Sequence, residues 1–157
     1  MTKNLFKFSL ILLLLATSGL AARAQAKSDL IVARASIAKD TEGFVKSVAV
    51  TITNFCQASA AKDFQVRVLF KRSADKDAKN IYFASREVVT LEGGASRTLT
   101  FDFDITDIKI GAGRHLLVEV DPFNKVSEAS EDNNWRTLNP NGAPSKLSSQ
   151  WQCSPKM

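Results

Sequence analysis

Strict alternation of apolar and polar residues recurs along the chain beyond its first thirty or so positions, and long helical periodicity is nearly absent. A period of two predicts half-buried β-strands with one face turned to a shared core. Leu30 and Val32 open a first strand, and Val48, Val50 and Ile52 form one face of a second, with Ala49, Thr51 and Thr53 opposite. In a third, Phe64, Val66, Val68 and Phe70 oppose Gln65, Arg67, Leu69 and Lys71. Ile81 to Ala84 and Arg86 to Leu91 read as two weaker, edge-like strands. Leu99, Phe101 and Phe103 then alternate with Thr98, Thr100 and Asp102; Leu116, Val118 and Val120 face inward from the next run, and Trp135 to Leu138 make a last short strand.

Turn signals separate these runs. Ser73 to Asn80 is a polar loop, Glu92-Gly93-Gly94-Ala95 a turn with glycines available for positive φ, and Gly111-Ala112-Gly113 another turn. Roughly seven strands at this spacing predict an all-β, two-sheet sandwich. A parallel α/β sheet would need helical crossovers, and no segment has the length and periodicity for one. Val50, Ile52, Phe64, Val66, Phe101, Val118 and Val120 are the expected common core, and the alternating phenylalanines belong to it rather than to a ligand platform.

The ends of the chain follow different rules. Lys3 and Lys7 precede the apolar run Phe8 to Leu15, and small residues lead to Ala24-Gln25-Ala26, the pattern of a signal peptide (1–26) cleaved after Ala26. Ala22-Arg23-Ala24 is a rival site two residues earlier. The run is shorter than the roughly 20 apolar residues of a spanning helix, so no stable membrane insertion is expected after cleavage. Cleavage leaves 131 of the 157 residues, enough for one domain. Lys3, Lys7 and Arg23 leave with the leader, so eighteen basic residues face sixteen acids and the mature charge is +2, against +5 for the whole chain. That surplus does not mark a nucleic-acid partner, which needs a concentrated basic face. The destination is the periplasm or the medium.

Cys56 and Cys153 both survive cleavage, and in an oxidising compartment an isolated pair predicts a disulfide. It would close a loop of 97 residues, worth roughly 4 to 5 kcal/mol in the chain-entropy account, less any strain. After the sandwich (27–138), Asn139-Pro140-Asn141-Gly142-Ala143-Pro144 begins a tail (139–157) without strand alternation, which Cys153 would pin.

Candidate chemistry concentrates between Asp121 and Asn134. Asp121, Asn124, Glu128, Glu131, Asp132 and Asn133 offer hard oxygen ligands suited to calcium, but the order of an EF-hand loop is missing. The structural alternative is a turn motif built from Asp121, Asn124, Glu128, Glu131, Asn133 and Asn134. Asp121-Pro122-Phe123-Asn124 suits a β-turn, and Asx and Glu side chains can take up the N–H groups of an irregular crossover while Val126 plugs the core. This reading needs no cofactor and no metal. Catalysis has little support: His115 is the single histidine, no G-x-S-x-G elbow is present, and a Cys56–His115 dyad would lose its thiol to the disulfide. Asp102 and Asp104 share a strand face, as a carboxylate pair would, but such pairs are ordinary on solvent faces.

Motifs in a fixed order resemble those of the CARDB module, the cell-adhesion-related domain found in bacteria. They are Asp29-Leu30-Ile31-Val32, Val50-Thr51-Ile52-Thr53-Asn54, Leu91-Glu92-Gly93-Gly94-Ala95-Ser96, and the run from His115 through Asn124, Val126, Glu128, Glu131 and Asn133 to Asn134. The resemblance implies an immunoglobulin-like sandwich, export, and no catalytic activity. One departure is Cys56, which stands where the family often has glycine. The expected function is therefore an exported, non-catalytic binding module, possessing an adhesion-type role, with a protein or cell-envelope glycan as partner. The alternatives are an accessory subunit using edge-strand addition, and a calcium-stabilised glycan-binding module. An aromatic cluster near Tyr82 and Trp135 would favour glycan; a bare apolar edge would favour strand addition.

Overall fold

The structure, a computed structural model, describes residues 27–57, 60–73, 79–103, 115–138 and Cys153, with the backbone alone for 81–83. The expected leader (1–26), the centre of the expected Ser73–Asn80 loop, Asp104, the expected turn at Gly111–Gly113 and the rest of the expected tail fall outside the described residues. Within them the strands are β1 (Leu30–Lys39), β2 (Val45–Asn54), β3 (Ala61–Lys71), β4 (Asn80–Leu91), β5 (Ser96–Asp102), β6 (His115–Val120) and β7 (Trp135–Leu138). They form two antiparallel sheets, one in the order β1-β2-β5 and one in the order β4-β3-β6-β7. The chain is the all-β sandwich its alternation predicts.

The alternating residues meet between the sheets. Val48, Val50 and Ile52 of β2 and Leu99 and Phe101 of β5 face Phe64, Val66, Val68 and Phe70 of β3 and Leu116, Val118 and Val120 of β6, all buried in one cluster. Phe70 and Phe103 meet edge to face with ring centroids 5.2 Å apart, so two of the alternating phenylalanines pack on each other. All seven expected core residues lie in the cluster.

Two expectations change. The two weak strands are one, β4, because Ser85 stays in register with Arg67 of β3; an outward polar residue does not interrupt a backbone ladder. Leu69 and Lys71, expected on the solvent side, are buried, and Leu69 lies beside the equally buried Leu117 of β6. From Val66 to Lys71, β3 is flanked by both β4 and β6, and these neighbours cover outward side chains that an edge would expose. The fourth strand also distinguishes this sandwich from a constant-type immunoglobulin domain, where it joins the opposite sheet. Here the run of pairs from Ala61↔Leu91 to Lys71↔Asn80 holds β4 beside β3.

The Arg136 side chain spans the seam between β1 and β7. The β1–β2 register slips between Val32 and Arg34, leaving Ala33 unpaired in a bulge. Arg136, on the β7 face that carries the core residue Leu138, donates from Nη1 to the Ala33 carbonyl at 3.3 Å. Burial pulls its guanidinium below the ordinary value.

Candidate functional site

Residues 121–134 gather at the end of the sandwich where β1 begins and β2 ends. The chain leaves β6 through Asp121, whose N–H donates to the Gln65 carbonyl at 2.8 Å, and then turns as Asn124 N–H donates back to the Asp121 carbonyl at 3.0 Å. Asp121 and Asn124 adopt positive φ, 45° and 50°, a region Asx residues tolerate better than others. The Asp121 carboxylate accepts Lys125 N–H at 3.0 Å on one oxygen and Val126 N–H at 2.7 Å on the other. Both backbone donors are thereby satisfied as Val126 enters the core.

Glu128 then reaches across to the first strand. Its Oε2 accepts Leu30 N–H at 2.5 Å and its Oε1 accepts Asn134 Nδ2 at 3.0 Å. The same Asn134 Nδ2 lies 3.0 Å from Glu131 Oε2, and Glu131 Oε1 accepts Glu128 N–H at 3.4 Å. Ser28 forms a parallel bridge with Glu128, its carbonyl accepting Ala129 N–H at 2.8 Å, and the Asn134 carbonyl accepts Val120 N–H at 2.7 Å. Burial raises the Glu128 carboxyl to about 8; Glu131 and Asp121 push it up, while the bonds from Leu30 and Asn134 pull it down.

A second cluster adjoins the first. Asn133 Nδ2 donates to Asp29 Oδ1 at 2.8 Å, and Asp29 N–H donates to Asn54 Oδ1 at 3.2 Å. Asn54 donates from Nδ2 to the Leu91 carbonyl, and its backbone is bonded to Gly94 and Ala95 of the next turn. Asp29, Asn133 and Asn134 are buried, and Asp29 Oδ2, Asn133 Oδ1 and Asn134 Oδ1 lack partners. Burial raises the Asp29 carboxyl, with the Asn133 bond acting the other way.

Reasoning from the sequence placed the link's acceptors on nearby backbone, and Asp121 and Glu131 act locally. Glu128 and Asn133 instead tie down the start of β1. Asp29 and Asn54 lie outside the acidic link, in the motifs that open β1 and end β2; the signal that they belong here is the repeated carboxyl–carboxamide complementarity of Asp29 with Asn133 and Glu128 with Asn134.

Cys56 and Cys153 form a disulfide with 5.3 Å between their Cα atoms. Cys56 is fully buried beside Gly93, where an added Cβ would lie 2.9 Å from the Cys56 carbonyl oxygen and 2.7 Å from the Gln57 carbonyl carbon. His115 starts β6 opposite Lys71, at the other end of the sandwich, and the Cys56 sulfur is bonded, so no dyad forms. Asp102 is exposed on β5. The backbone of Tyr82 belongs to β4 and Trp135 to β7, the two edges of the four-stranded sheet. Among the described residues no group of three or more His, Cys, Asp or Glu side chains is placed to hold a metal ion. Asp121 and Glu128 already accept N–H groups on both carboxyl oxygens.

Comparison with known proteins agrees with this architecture. Residues 27–138 match the CARDB family. A solved structure from Methanosarcina acetivorans, one domain of a protein provisionally named a cell surface protein, superposes with a TM-score of 0.55 and 24% identity, covering 71% of this chain and 88% of that one. No curated protein matches the chain.

Proposed function

Because the chain belongs to the CARDB family over residues 27–138, we propose that it is an exported, non-catalytic interaction module, acting in the periplasm or outside the cell. The observation that carries this reading is how the acidic link is used. Its carboxylates and carboxamides are bonded mainly to the module's own backbone and to one another, which is the work of a scaffold. Recognition is then left to the outer surfaces. The disulfide suits an oxidising compartment, and the structural neighbour's name points the same way.

The outer face of β1-β2-β5 is polar, with the Thr51 and Thr98 hydroxyls 2.8 Å apart and those of Thr53 and Ser96 2.7 Å apart, both pairs exposed. Such a face suits hydrogen-bonding partners, protein or glycan. A second reading, accessory strand addition, is favoured by β4. Twelve residues long, it forms the edge of its sheet and carries Val89 at 71% exposure. An unpaired edge offers backbone groups to another chain.

Photo-crosslinking separates the two. A crosslinking residue at Thr98 and another at Val89, introduced separately and activated in intact cells, should each be followed by mass spectrometry. Adducts confined to Val89 favour strand addition, and adducts at Thr98 favour docking on the face. Export of neither variant would overturn the proposed location.

A further inference from the structure

The Asp29 carboxyl and the Asn133 carboxamide share one hydrogen bond, and each keeps one buried oxygen without a partner. Asn133 Nδ2 donates to Asp29 Oδ1 at 2.8 Å, while Asp29 Oδ2 and Asn133 Oδ1 are both buried without a partner. An ionised carboxylate and an amide oxygen only accept, so neither can satisfy the other. Turning the carboxamide over would exchange the atoms and leave the same shortage of donors. One proton removes it. A protonated carboxyl supplies an O–H, and an O–H on Oδ2 directed at Asn133 Oδ1 closes a cyclic acid–amide pair with two hydrogen bonds.

We propose that Asp29 is held as the neutral acid in the folded protein, its proton on Oδ2 and shared with Asn133 Oδ1, making the clasp between β1 and the acidic link proton-dependent. The surroundings support it. Asp29 has no exposed surface, and among the described residues no salt bridge reaches it. From β2 it faces the uncharged Asn54, which accepts its N–H. The link presents Asn133 and, beside the next residue of β1, the Glu128 carboxyl with Glu131 behind it, all neutral or acidic. The cation of β7, Arg136, is bonded farther along β1 at Ala33, and Lys27 is exposed. Among the described residues of these elements no ion pair compensates a buried negative charge, and desolvation moves the Asp29 carboxyl upward accordingly.

The sign follows from linkage. With the folded value raised above the unfolded 3.8, the clasp contributes fully below 3.8 and is lost as pH rises through the folded value. Glu128 titrates in the same direction, so the test must resolve Asp29 itself. Carboxyl 13C NMR of the full chain with its disulfide intact should show the Asp29 resonance at the protonated position above the ordinary aspartate range, and this readout needs no variant. Asp29→Asn places an N–H where the acid O–H would be, so it should match the wild type in acid and melt higher than it once the wild-type Asp29 has ionised. Asp29→Ala should melt several degrees lower than Asp29→Asn throughout. A resonance titrating at or below the ordinary range overturns the proposal. So does an Asp29→Asn variant as unstable as Asp29→Ala. A melting temperature that rises by several degrees with calcium and falls with chelator also overturns it, since a cation would then occupy these oxygens.

Discussion

At the scale of single residues, Glu128 combines a structural bond with a charge its surroundings disfavour. Its carboxyl is raised from 4.5 to about 8, so the unfolded chain gives up this proton first as pH rises. The contribution is complete below 4.5 and lost through about 8, so the urea midpoint should fall across that window and the fall should be shallower in Glu128→Ala. That variant also leaves the Leu30 N–H unpaired, at about 1 to 3 kcal/mol. Its loss, like that of Asn134→Ala, should be the same with and without chelator if no cation is bound. Gly93 is constrained by contact rather than by φ. Gly93→Val would put Cβ within 2.9 Å of the Cys56 and Gln57 carbonyl oxygens, and overpacking of this kind costs about 1 to 3 kcal/mol, read as a lower melting temperature.

Elements are held together here by groups that leave the regular ladder. Asp121 is one: Asp121→Ala strands the Lys125 and Val126 N–H groups and should destabilise by about 1 to 3 kcal/mol, with Asp121→Asn intermediate because only one of its side-chain atoms accepts. This should appear in chemical unfolding. Arg136 is another. Its bond to the bulged Ala33 joins the edge strands of opposite sheets, so Arg136→Met should lower stability by roughly 1 to 2 kcal/mol and speed amide exchange along β1. On the outer surface, Arg67 bonds Glu119 at 2.8 Å across β3 and β6 and lies under the Phe123 ring, 5.0 Å from its centroid. That pair neutralises a buried carboxylate between two central strands.

For the molecule as a whole, the disulfide is the covalent cross-link, joining residues 97 positions apart. Its stabilising effect depends on the native fold already holding the two ends together, because a tether that restricts folded and unfolded chains equally stabilises neither. Residues 27–138 carry the core without Cys153, so Cys153→Ser should accelerate proteolysis beyond Leu138 much more than it lowers the melting temperature of the sandwich. Limited proteolysis followed by mass measurement, alongside a thermal melt, checks both halves of that statement.

Alternation alone determined the core face of most strands, since a period of two decides which side chains share a face wherever a sheet is half buried. Val50, Phe64, Phe101 and Val118 could therefore be assigned to one interior from their phase. The dense acids and carboxamides after Asp121 likewise announced an irregular crossover, because backbone outside a ladder needs local acceptors. What only the tertiary structure decided was who bonds whom across long separations. Glu128 meets Leu30 98 positions away and Asn133 meets Asp29 across 104, pairings that carry no period. The continuity of β4 through Ser85, the burial of Leu69 beside Leu117 and the inward turn of Arg136 depend on which strands lie alongside. Neighbours in space set those outcomes, and a one-dimensional pattern does not contain them.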